Sequence, residues 1–162
     1  MNKVIILFLI AISLCAEQVD LSNWTASKLL TDVSIKTFDC LYELNDRAMK
    51  GKDVDIIILF MTDLTQIDRV RYRALQSLEG TGNEVMLVFA MNLACFGNDV
   101  EKVQGYYSIV NNGNTDWVNK TDLIMKFIEN DLKSPNGNLA HAAKWYYNKR
   151  EKWIVEHKIE VP

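Results

Sequence analysis

Two short apolar runs, at 56–61 and 85–91, limit what this chain can become, because each demands burial on more than one side. The first is six consecutive apolar residues, three of them isoleucine, and it suits a strand covered on both faces. A helix there would be apolar all round, which only the centre of a bundle accommodates. Between the runs, the spacing of Ile67, Val70, Ala74, Leu75 and Leu78 predicts an amphipathic helix over 65–79, with Asp68, Arg69, Arg71, Arg73 and Gln76 on its other sides. Gly80 and Gly82 break it. Strand, helix, return and strand within about 38 residues read as a right-handed parallel βαβ unit.

The flanks extend this pattern. Leu30, Val33, Thr37, Cys40, Leu44 and Ala48 recur at helical spacing and predict a helix over 22–51, ended by Gly51. A short helix is expected through Val100 and Val103. Asn111 to Asn114 lie between two apolar stretches, and an Asn-Gly in that setting signals a hairpin. Thr121 caps a predicted helix carrying Ile124, Phe127, Ile128 and Leu132. After a turn at 134–138, an aromatic-rich helix is expected over 139–157. The fold class is therefore read as α/β, with a main domain over 17–134 and a helical extension over 135–162. The alternative is an all-α bundle that takes both apolar runs as central helices.

The compartment is read from the start of the chain. Lys3, an apolar run from Val4 to Leu14, Cys15, Ala16 and then Glu17 are ordered as in a secretory signal peptide over 1–16. The run falls short of the roughly 20 residues that span a bilayer, and no second segment of that kind follows. Secretion makes a Cys40–Cys95 disulfide the simplest use of the two remaining cysteines, worth roughly 4 kcal/mol in the chain-entropy model, with two buried free thiols as the alternative. Asn23 and Asn119 each begin an acceptor triplet for N-glycosylation. The net charge of −3 argues against nucleic acid as the main partner.

Laid end to end, the predicted elements resemble the thioredoxin-like fold over about 28–133. Leu30, Asp32 and Phe38 resemble its opening helical segment, Ile58, Leu59 and Phe60 its first central strand, and the segment from Leu123 to Ile128 its last helix. Family enzymes place Cys-x-x-Cys just after that strand, where a helix N-terminus lowers the thiol pKa. The corresponding stretch, 62–68, has no cysteine, and no proline precedes Pro135 to serve as the family's cis-proline. The resemblance thus implies a redox-inactive member that binds a polypeptide or protein partner, with Thr65 and Asp68 in the partner-facing loop. A von Willebrand A-like domain fits the same strands, but Asp20 and Ser22 are only part of its metal motif.

Other constellations are thin. His141 and His157 lack convergent partners for zinc or acid–base work, and no phosphate-cradling glycine loop or serine elbow occurs. No enzymatic activity, cofactor or metal is expected. Trp145, Tyr146 and Trp153, interleaved with lysines, either pack a helix onto the domain or offer an aromatic, basic surface to a protein or an anionic membrane. The expected function is a secreted, non-enzymatic binding protein. A small secreted helical protein that carries an apolar small molecule or acts as an extracellular effector is the alternative.

Overall fold

Both apolar runs are helical. The structure, a computed structural model, describes residues 20–32, 37–113 and 117–159, and every regular element among them is a helix. In chain order these are α1 (Ala26–Thr31), α2 (Thr37–Met49), α3 (Val54–Thr62), α4 (Asp68–Ser77), α5 (Glu84–Phe96) and α6 (Asp99–Val110). Then come α7 (Trp117–Lys120), a 3-10 turn (Asp122–Lys126), α8 (Ile128–Leu132) and α9 (Gly137–His157). The α/β expectation is overturned, and with it the thioredoxin-like βαβ unit. The all-α alternative describes the fold. The signal-peptide segment, 1–16, lies outside the described residues.

An unbroken apolar run has no polar positions to reveal its period, so strand and helix fit it equally well. The ends decide. Asn83 accepts the backbone N–H of Met86 at 3.0 Å, and Glu84 sits in the first turn, where a helix N-terminus favours an anion. From there α5 runs thirteen residues and buries Met86, Leu87, Ala90, Leu93 and Ala94, a helical spacing. Its backbone groups are satisfied within the helix, so no partner strand is needed.

The Asn-Gly signal also resolves differently. Asn111 ends α6, and Gly113 takes the left-handed φ of +86° that glycine alone adopts without strain. The N–H groups of Gly80 and Gly82 donate to the carbonyls of Asn111 and Asn112 at 2.6 and 2.7 Å. Two turns therefore stack backbone on backbone, and a Cβ on Gly113 would lie 2.5 Å from the Gly80 oxygen.

The expected helix over 22–51 is divided into α1 and α2, with Asp32 extended after α1. Arg73 explains the stop. Its Nη1 donates to the carbonyls of Leu29, Leu30 and Asp32 at 2.8–3.0 Å, which closes the C-terminal end of α1 from a helix some forty residues away. Arg71 and Arg73, expected on a solvated face, are both buried. Arg71 Nε donates to Met61 O, and its guanidinium lies 5.4 Å from the Phe89 ring, so it ties α3, α4 and α5 together.

At the far side α9 supplies Leu139, Ala142, Ala143 and Tyr146 to the shared core. Tyr146 packs on Tyr106 (5.4 Å between centroids) and on Trp117 (5.7 Å), and its hydroxyl donates to Thr121 Oγ1 at 2.9 Å. Burial pushes the Tyr146 phenol up to about 12.

Glu79, just after α4, is the least comfortable carboxylate. Burial raises its pKa, opposed by hydrogen bonds from Ser108 Oγ and Asn111 Nδ2. A folded-state pKa above the unfolded value gives stability that is present below the unfolded pKa and lost as pH rises through the folded one. Glu79→Gln removes that ionisation. Its stability relative to wild type is therefore expected to improve as pH rises from about 4 to 7. Urea denaturation of both proteins across that range checks this, and a constant difference would refute it.

Candidate functional site

The α3–α4 hairpin carries four exposed large apolar side chains, among them Leu64 at 80%. α3 is apolar nearly all round yet buries only Ile57 and Met61. Its outer side leaves Ile56 and Leu59 exposed, the latter at 63%. In the connection that follows, Leu64 is 80% and Ile67 63% exposed. Leu59, one turn from the end of α3, and these two loop residues lie within nine positions of one another at the same end of the hairpin.

The loop itself is ordered by Asp63. One carboxylate oxygen accepts the Thr65 N–H at 2.9 Å and the Thr65 hydroxyl at 2.7 Å, and the other accepts Gln66 Nε2 at 3.1 Å. These bonds, led by the Thr65 hydroxyl, hold the Asp63 carboxyl below the usual carboxylate range. The turn spends its polar groups on itself and presents Leu64 and Ile67 outward. Between 53 and 68 the chain has four aspartates and no lysine or arginine. Arg71 is turned inward, while Arg69 is the exposed guanidinium at the start of α4.

The structure places the residues singled out in the sequence as follows. Thr65 and Asp68 do lie in and just after this loop, but Thr65 bonds Asp63, and Asp68 opens α4 at 3.6 Å from Arg71. Leu64 was passed over, and Ile67, expected on the buried stripe of the helix over 65–79, is instead its exposed N-cap. Two large aliphatic side chains inside an otherwise polar turn were the signal. Tyr146 is fully buried. Trp145 is half-buried against Tyr107 at 4.9 Å, with Lys149 5.8 Å from its ring. Trp153, also half-buried, stacks on His157 at 4.0 Å and approaches Trp117 at 6.3 Å. These rings do not converge on one outward surface; they fasten α9 to the core.

Cys40 and Cys95 are buried free thiols, which corrects the expected disulfide. Cys40 on α2 has Arg73 and Asp32 as charged neighbours, whereas Cys95 on α5 has Lys102 and Asp131. Burial raises both pKa values, so neither is poised as a nucleophile.

Asn23 is exposed in the turn before α1. The Asn119 side chain lies outside the described residues, and Thr121 of the same triplet is buried with its hydroxyl bonded to Tyr146. Among the described residues no group of three or more His, Cys, Asp or Glu is placed to hold a metal. No described helix is long and apolar enough to cross a membrane. Comparison with known proteins finds no matching family model, no matching curated protein and no matching solved structure.

Proposed function

We propose that this is a small secreted helical protein that acts by binding, as an extracellular effector, with the α3–α4 corner as its contact surface. One observation carries the reading: Leu64 and Ile67 stand out of a turn that is otherwise locked by its own hydrogen bonds, with Leu59 exposed on the last turn of the helix before it. Isolated exposed leucines are ordinary, but three at one end of a hairpin form a patch. Fully burying such a side chain against a partner contributes about 1.5–3 kcal/mol, and a few of them suffice for an anchor. A preformed turn also lowers the ordering cost of association.

Charge selects the class of partner. At the corner Asp63 and Asp68 outnumber the one exposed guanidinium, Arg69, a balance that disfavours an anionic lipid surface and complements an apolar pocket rimmed by lysine or arginine. The partner is therefore a protein with such a pocket. Catalysis has no part in this reading.

Leu64→Ser/Ile67→Ser is the test. Both sites are exposed, so the change is expected to leave stability within about 0.5 kcal/mol per site. Protein purified from culture medium, with an intact mass lacking residues 1–16, is immobilised alongside the double variant. A protein that wild type retains from extracellular fluid, and that binds it saturably once purified, should bind the variant at least about tenfold more weakly. Equal retention overturns the role of the corner. So does saturable binding of wild type, but not of the variant, to phosphatidylserine vesicles. A mass that retains residues 1–16 overturns secretion.

A further inference from the structure

A second site lies at the opposite end of the chain, where the first turns of α6 and α9 converge on a groove of about 270 Å³. Asn136, the N-cap of α9, donates its Nδ2 to Asp99 Oδ2 at 2.9 Å and so fastens the two helix starts together. Val100, Val103 and Tyr107 supply its apolar lining, and the Tyr107 ring lies 4.9 Å from that of Trp145. Gln104, Asn138 and His141 line it as well. The Asn138 side-chain amide and the His141 imidazole make no hydrogen bond to other described residues, whereas the Asn138 backbone N–H donates to Asn136 Oδ1.

The charge of the groove narrows its ligand. Among the described residues no lysine or arginine lines it, and Asp99 is the one carboxylate. Each helix N-terminus carries roughly half a positive charge, so the starts of α6 and α9 together offset that carboxylate. Neither an anion nor a cation gains much here. What remains is the Asn138 side-chain amide and the His141 imidazole beside an aromatic ring, together with the NH2 group of Gln104, whose Oε1 already accepts Gln76 Nε2 at 3.1 Å. A pyranose ring matches that arrangement, because its hydroxyls both donate and accept while one face presents only C–H groups. The volume equals that of about nine waters at roughly 30 Å³ each, room for one such ring.

We propose that this groove binds a single neutral saccharide unit. The α3–α4 corner shares no residue with it, so failure at either site leaves the other standing. The test is a ¹H–¹⁵N titration of the mature protein with methyl α-D-mannopyranoside, methyl β-D-galactopyranoside and the methyl glycoside of N-acetylglucosamine. Citrate and 2-phenylethylammonium serve as charged comparisons. At least one glycoside should give saturable shifts centred on the amides of Val103, Asn138 and His141. Its affinity should be unchanged between low and high salt, as screening acts only on charge. Asn138→Ala and His141→Ala, both at exposed positions, should each weaken it about tenfold while the rest of the spectrum stays native. The proposal is overturned if no glycoside saturates, if a charged probe binds more tightly than all three, or if both variants bind as wild type does.

Discussion

Gly105→Ala is expected to destabilise the protein by about 2–3 kcal/mol, although alanine is the better helix former by roughly 1 kcal/mol. Gly105 sits in α6 where that helix crosses α5. A Cβ there would lie 2.6 Å from both Ala90 O and Ala94 N, and 3.0 Å from Ala94 Cα. These are backbone atoms, which cannot swing aside as the end of a side chain can, so the helices must separate. Separation opens the core around Met86 and Ile109, and the lost dispersion contacts outweigh the propensity gain. Gly137 is the matched control: a Cβ at that position meets nothing within 4 Å, and Gly137→Ala is expected to be neutral or stabilising. Thermal unfolding of the two variants checks the argument. At roughly 2–4 °C per kcal/mol for a chain of this size, Gly105→Ala should lower Tm by about 4–12 °C. Equal Tm values would show that α5 and α6 do not approach as described.

The second large effect belongs to Asp131. This buried carboxylate in α8 accepts Tyr106 Oη at 2.6 Å and Lys102 Nζ at 2.7 Å, so one side chain joins α8 to two turns of α6. The hydrogen bond and the charge of Asp131 act alongside burial to keep Tyr106 protonated. Asp131→Ala leaves a fully buried phenol and a largely buried ammonium without their partner. Breaking a buried pair from one side costs about 3–5 kcal/mol, and the lower figure is expected because Lys102 can extend towards water. Adding Tyr106→Phe to Asp131→Ala removes the orphaned hydroxyl and should recover about 1 kcal/mol. A double variant less stable than Asp131→Ala alone would show that the hydroxyl finds another partner.

Much of the helical inventory was legible from local pattern. The apolar stripe of α4 and the aromatic spacing of α9 repeat every three to four residues, with polar positions between them that expose the period. α3 and α5 were read as strands because a uniformly apolar run hides its period. Two signals at the ends of α5 could have corrected that reading. One is Asn83 followed by Glu84; the other is Asn98 with Glu101, a capping box that starts α6 and leaves only Gly97 and Asn98 between the helices. Asn111 and Gly113 suit both a hairpin and a helix end, and the choice falls to whether the preceding residues are already helical.

The candidate surfaces were less legible. The loop at 62–68 was singled out for its place in the thioredoxin-like resemblance, with Thr65 and Asp68 facing a partner, rather than for Leu64 and Ile67. The groove at the starts of α6 and α9 brings together residues nearly forty positions apart, which no local pattern reveals.

The sequence by itself determined that the segments with a polar side are helical, since period, capping and turn chemistry act within a few residues of one another. Only the tertiary structure decided which sides are buried. Arg73 turns inward because the carbonyls of α1 await it, Gly105 is needed because the α5 backbone passes beside it, and Cys40 and Cys95 are buried as free thiols rather than joined. Those outcomes depend on contacts between distant segments, whose free energy exists only once the helices have packed.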